Sequence, residues 1–210
     1  MTDATRFYYA LLLGASMTAA LLAALGPWVA PASGDAKGAR VGAALWSLAM
    51  VAWPVWAAVA TFLRTFQPWH GAVAGGLALA LALVVPPVAP AVGALPIGGV
   101  VGLSVVRLAG LVRVAALTQG WLPRRYVTAS VAGDVAIALV AIALVVFGLR
   151  RRALVRGWAV AGIATLGVSL WLQATEVRPM PAFESLTTAY LAPFLAASYV
   201  LVLRAAGRAP

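Results

Sequence analysis

The sequence predicts an all-α, polytopic transmembrane helical bundle of seven spans, or six if the Pro-rich third run is re-entrant. Three observations carry that expectation. Of the 210 residues, 64% are hydrophobic and 10% charged, against roughly 45–50% and about 25% in soluble chains. The apolar residues fall in runs close to the ~20 residues that a helix needs to cross a bilayer. Most of the charges sit between those runs, where membrane proteins place them. So much apolar surface cannot be covered in water, and the partner it calls for is the lipid bilayer.

Residues 1–210 read as a single integral membrane domain. The first span covers about 7–25 and is closed by Gly26-Pro27-Trp28. A cleaved signal peptide is the rival, because Ala30-Pro31-Ala32 fits an A-x-A site. The run exceeds the ~7–15 residues of a signal core, and Arg6 is offset by Asp3, so a retained helix is expected. The second span, about 41–62, carries Trp46, Trp53, Trp56 and a kink at Pro54. An interior proline removes a backbone hydrogen bond, and neighbouring helices can satisfy the freed carbonyl. Gln67-Pro68-Trp69-His70 then makes a polar-aromatic turn suited to the interface.

The third span, about 71–92, is the ambiguous one. From Gly71 to Val85 a helix falls short of the ~30 Å hydrocarbon core, and Pro86-Pro87 follow. The stretch is uncharged as far as Leu95, which favours a full span kinked at Pro86 and Pro87 over a re-entrant segment. The fourth span, about 98–118, contains Arg107 and Arg113, and the fifth, about 127–149, contains Asp134. A basic loop with arginines at 150, 151, 152 and 156 leads to the sixth span, about 158–174. A polar connection over 175–187 holds Glu176, Arg178 and Glu184, and the last span, about 188–203, is kinked at Pro193.

Seven spans put Arg6, Arg64, Arg124, Arg125 and Arg178 on one side. Lys37, Arg40, the arginines of 150–156, Arg204 and Arg208 lie on the other. The second side is the more basic and is expected in the cytoplasm. With six spans Lys37 and Arg40 change places with Arg6 and Arg64, yet 150–156 and the C-terminus stay cytoplasmic.

Composition excludes several functions. The net charge of +10 is distributed between spans, which suits orientation and contact with anionic lipid, not nucleic acid. With no cysteine there is no disulfide scaffold and no thiolate metal site, and one histidine cannot build a metal cluster or a bis-histidine haem. Lys37 lies in a Pro/Gly loop, so no helix offers an amine to retinal. HExxH, GxSxG, a phosphate loop and paired intramembrane carboxylates are all missing, so no enzyme, catalytic residue, cofactor or metal is expected. The tryptophans read mainly as an interfacial belt. Trp69 and His70 are candidates for a ligand site or an interfacial anchor, with the anchor favoured. Gly71/Gly75 and Gly98/Gly102 are small-xxx-small pairs that let helices approach closely.

Arg107, Arg113 and Asp134 are the residues that stand out. A central Arg or Asp costs about 2.5–3.5 kcal/mol on insertion scales, and each Leu or Val returns only about 0.3–0.6. The fourth span therefore barely inserts alone. Counted from the loop between the fourth and fifth spans, Arg113 and Asp134 lie at nearly equal depth and are expected to pair. Arg107 lies deeper, with no acid at its level, and is expected to meet freed carbonyls, water or a partner subunit. These charges serve either as a helix-pairing device or as part of an ion, proton or anion path.

Arg107, then Gln119-Gly120-Trp121-Leu122-Pro123, then Gly133-Asp134 opening an Ala/Val/Leu-rich span, are close to a loose R…G-x-L-P…G-x-G-D…A pattern. Together with Tyr190-Leu191-Ala192-Pro193-Phe194-Leu195 it resembles a group of small polytopic bacterial proteins, the hypothetical transmembrane proteins of that pattern. The resemblance covers about a third of the chain. The sequence departs from it at Arg124-Arg125-Tyr126, where the group is apolar, and at Val131-Ala132. It implies a bacterial inner-membrane location and a role for Arg107, Pro123 and Asp134, but no activity.

The function expected from sequence is that of a non-enzymatic packing or accessory subunit of a membrane assembly, partnered by other membrane subunits or by itself. The alternative is a small transporter or channel for an ion or small anionic solute, with Arg107, Arg113 and Asp134 in its path. Prolines in the second, third and seventh spans favour the alternative, because broken helices expose backbone to substrate.

Overall fold

A computed structural model describes residues 3–29, 36–65, 67–148, 151–178 and 180–208. Every regular element among them is a helix: α1 (Asp3–Val29), α2 (Ala36–Phe62), α3 (Pro68–Val84), α4 (Val88–Gly93), α5 (Ile97–Thr118), α6 (Arg124–Val146), α7 (Arg152–Glu176) and α8 (Ala182–Gly207). Six of these, all but α3 and α4, are long and apolar enough to cross a membrane. The expected third span is instead two helices separated at Val85–Pro87. Neither proline has an N–H to donate, and each pushes the residue before it out of the α region. Val85 accordingly leaves α3 extended, at φ −72° and ψ 118°. The Ala30-Pro31-Ala32 and Arg150 assignments lie outside the described residues.

The helices overrun the apolar spans at most ends. The interfacial turns are polar in sequence but still helical in backbone. The largest corrections are α7, which starts at Arg152 and not near 158, and α8, which starts at Ala182 and not near 188. Pro96, Pro123 and Pro181 each hold the extended conformation directly before a helix, so they set the starts of α5, α6 and α8.

Cross-contacts define the two ends of the bundle. At one end Tyr9 meets Thr61, Gln119 donates to Tyr8, and Arg125 pairs with Glu176. At the other, Trp28 donates to Ser47 and Arg156 to the Ala206 carbonyl. We call these the N-terminal and C-terminal ends. α8 is the central helix, with 61% of its apolar stretch buried against 28–39% in the other five long helices. α3 lies against it, with Gly71 at Thr188 and Gly75 at Pro193, where a β-carbon would collide. Gly42 of α2 similarly admits the Pro87 carbonyl. The Gly98/Gly102 pair has open space in place of a neighbour.

Two tryptophans repair the backbone that prolines break. Pro27 cannot donate to the Ala23 carbonyl one turn earlier, and the Trp46 indole N–H does so at 3.0 Å. Pro193 likewise leaves the Ala189 carbonyl to the Trp53 indole, at 3.1 Å. Trp158, also buried, donates to Ile137. The expected aromatic belt is therefore only part of the tryptophan set. Trp28, Trp56, Trp69 and Trp171 are exposed, while Trp46, Trp53 and Trp158 are interior donors.

Candidate functional site

The middle of α5 is not α-helical. Leu103–Leu111 forms nine residues of 3₁₀-helix, entered at φ −58°, ψ −24°. In an α-helix, residues six apart point about 120° from each other. In a 3₁₀-helix, six residues make two full turns and share one face. Six of the seven buried positions of α5 follow the second rule, Val101, Ser104, Arg107, Gly110, Arg113 and Ala116, and Val100 is the exception. Tightening the helix thus brings both arginines into one inward row. An α-helix would aim one of them at lipid.

Asp134 of α6 sits between the two arginines. Its Oδ1 accepts from Arg107 Nε at 2.7 Å and its Oδ2 from an Arg113 terminal nitrogen at 2.7 Å. Gly110 makes the room, because a β-carbon there would lie 2.5 Å from Asp134 Oδ2. Arg113 then turns its Nε to Glu184 Oε1 at 2.7 Å, and its other terminal nitrogen to Oε2 at 3.3 Å. Glu184 is wholly buried and also accepts from the Tyr126 hydroxyl at 2.7 Å and from Gln173 at 3.0 Å. The Tyr126 ring lies 5.6 Å from the Arg113 guanidinium carbon, a cation–π contact. Gln173 is oriented in turn by the Thr188 hydroxyl.

Deeper in the bundle, Arg107 donates to the Tyr199 hydroxyl, to Thr165 and to the Gly162 carbonyl. Ser104 extends the chain of contacts to Tyr199. The network thus runs from the N-terminal end, where Tyr126, Gln173 and Glu184 lie near helix termini, to the middle of the bundle. Two guanidinium charges meet two carboxylates, so the cluster is neutral. Beside it is a cavity of about 30 Å³, enough for a water or two. A π-helical turn, Thr187–Leu191, follows Glu184 in α8, so irregular backbone flanks the network on two facing helices.

The expected Arg113–Asp134 contact is present. Two expectations need correction. Arg107 has an acid after all: an arginine six residues from Arg113 reaches the same carboxylate because the row has period three. Glu184 is not in a polar loop but inside α8, so two buried carboxylates share Arg113. Tyr126, Thr165, Gln173 and Tyr199 went unnoticed in the sequence. The available signal was Ser104-x-x-Arg107-x-x-Gly110-x-x-Arg113, polar or small at every third position. His70 accepts from the Gln67 backbone N–H at 3.1 Å and packs on Trp56 and Trp69. It caps the start of α3. Pro54 lies within α2, and Pro193 follows the π turn. Among the described residues, no group of three or more His, Asp or Glu side chains is placed to hold a metal.

No family model matches the sequence, and no curated protein and no solved structure is significantly similar to it.

Proposed function

We propose that the protein is a non-enzymatic transport protein of the bacterial cytoplasmic membrane. In this reading the α5 row and its acids form a latch on the path of an ion or small solute. The observation that carries it is the nine-residue 3₁₀ segment, which presents Arg107 and Gly110 to Asp134 and brings Arg113, in the α-helical turn that follows, into line with them. Runs of 3₁₀-helix longer than three or four residues are uncommon, because their hydrogen bonds are poorer than those of an α-helix. Conversion to α would shorten the segment by about 4–5 Å and turn it by about half a revolution. Asp134 could then hold only one arginine. Two helical forms and one charge network that fits only one of them make a two-state element. Anything that neutralises Asp134 or Glu184, such as a proton, favours release, as does an anion that competes for the arginines.

The accessory-subunit reading drew one of its supports from an unpaired Arg107, and the contacts of Arg107 within the chain remove that one. A stoichiometric partner in gentle detergent extracts would restore it. The path of α3 and α4 supports seven crossings. α3 starts beside Thr188, and the chain after it lies against Gly42 and beside Leu201, so it leads from the N-terminal to the C-terminal end. With seven crossings, the positive-inside rule favours Met1 outside and the C-terminus in the cytoplasm. A C-terminal reporter active only outside the cytoplasm should stay silent, and the same reporter at the N-terminus should be active.

The absence of native cysteine allows a substrate-independent test. Ser104→Cys, buried in the latched state, should react slowly with a membrane-impermeant thiol reagent in native vesicles. Asp134→Asn in the same chain should speed that reaction several-fold. A thiol that stays unreactive in both backgrounds, yet labels fully after denaturation, would overturn the transport reading.

A further inference from the structure

We propose that the C-terminal end of the bundle binds one ethanolamine phospholipid, its phosphate on Arg204 and its primary ammonium at the C-terminus of α3. Among the described residues, the other arginines without a partner, Arg40, Arg64, Arg124, Arg151 and Arg178, are exposed, where water or headgroups can serve them. Arg204 is half-buried, yet no carboxylate, carbonyl or hydroxyl lies in bonding range of it. It lines a recess of about 340 Å³ between α3, α4, α5 and α8. That is within the ~300–1,000 Å³ of ligand sites. The neighbouring cleft of about 700 Å³, walled by residues such as Trp46, Met50, Leu103 and Phe194, has no such unmet group. Its indoles and Ser198 already donate within the protein.

The same recess holds acceptors without donors. In a continuous helix the Ala82 and Leu83 carbonyls would accept from residues 86 and 87. Those are Pro86 and Pro87, which have no N–H. The next two N–H groups, of Val88 and Ala89, both go to the Val85 carbonyl. Ala82 is 2% exposed, and a backbone carbonyl so buried calls for a donor. Carbonyls at a helix C-terminus point out along its axis and carry partial negative charge, so they favour a cation. Ala82, Leu83 and Arg204 line one recess, and Arg204 does not bond to either carbonyl. A ligand that carries both an anion and an N–H cation serves the two unmet groups together. The rest of the lining, Val92, Leu95, Val100 and Leu201 among it, is apolar. An ethanolamine phospholipid joins all three chemistries, whereas a soluble zwitterion lacks the hydrocarbon. The recess shares no residue with the cavity beside the α5 latch, and its occupancy is measured without reference to transport.

The test uses the full chain, purified in mild detergent and exchanged with phosphatidylethanolamine, phosphatidylcholine or phosphatidylglycerol of matched chains. Retained lipid is counted by native mass spectrometry. The wild type should keep one phosphatidylethanolamine per chain, about tenfold better than either other lipid, the effect of one charge-assisted hydrogen bond. Choline has no N–H to donate, and phosphatidylglycerol has no ammonium. Arg204→Gln should weaken phosphatidylethanolamine by about tenfold but keep its advantage over phosphatidylcholine. Pro86→Ala, which returns an N–H to the Ala82 carbonyl, should narrow that advantage. Three wild-type results overturn the proposal even if the variants fail to fold: no retained lipid, equal retention of phosphatidylethanolamine and phosphatidylcholine, or displacement of the lipid by soluble glycerophosphoethanolamine at equal concentration. So does unchanged retention in a folded Arg204→Gln protein, or an unchanged advantage in a folded Pro86→Ala protein.

Discussion

The two halves of this bundle solve the same problem, polar or open space among helices in lipid, in opposite ways. Toward the N-terminal end, four charged groups are packed until only about 30 Å³ is left, and each guanidinium and carboxylate has several partners. Toward the C-terminal end, the helices leave about 700 Å³ with hardly a polar group to fill it. The same helix, α5, serves both. Its 3₁₀ segment carries Arg107 and leads into the turn that carries Arg113, while Gly98 and Gly102 at its start border the cleft. The difference teaches that small residues have no fixed meaning here. Gly110 is small because Asp134 occupies its flank, whereas Gly98 and Gly102 face no neighbouring atom.

The largest effect should come from the filled half. Asp134→Ala leaves two buried arginines without their shared acid, and breaking such a contact costs about 3–5 kcal/mol. The variant should accumulate poorly or melt well below wild type in a thermal scan in detergent. Arg113→Ala alone should also destabilise, and the double variant should lose less than the sum, since the two residues share one interaction. Additive losses would show that the contact contributes little.

Gly110→Ala should follow, at about 1–3 kcal/mol, because its methyl group displaces Asp134 from between the arginines. Gly102→Ala sharpens the contrast. It adds the same methyl group at a helical position in open space, so it should be neutral or stabilise by up to about 1 kcal/mol. Equal losses at the two glycines would erase the distinction between the halves.

Trp53→Phe should cost about 1–3 kcal/mol by leaving the buried Ala189 carbonyl without a donor. The loss should shrink when Pro193→Ala returns a backbone N–H to that carbonyl. Unfolding midpoints of the two single variants and the double variant check this. No coupling would mean that the indole acts by packing alone.

The fold class was legible because composition and run length report directly on the solvent. The break at Pro86-Pro87 was legible too, since proline acts on its own backbone. The network was half legible. Arg113 and Asp134 stand at matched depth on adjacent helices, so a count along the chain pairs them. Glu184 was hidden because hydropathy treats the first turns of α8 as a loop, although Pro181 marks a helix start. Arg107 was left without an acid because depth alone was counted, and depth does not show that a row of period three turns both arginines toward Asp134. Tyr126 and Gln173 carried no signal, since their role depends on where Glu184 comes to rest.

The account stands or falls on the period of α5. Single cysteines placed one at a time from Val101 to Ala116, in a chain with none of its own, can be labelled in native membranes with a small lipid-permeant thiol reagent. A 3₁₀ segment predicts protection at 101, 104, 107, 110, 113 and 116, with the intervening positions reactive. Protection that drifts with a spacing of 3.6 through Leu103–Leu111 would contradict it, and with it the shared grip of Asp134 on Arg107 and Arg113.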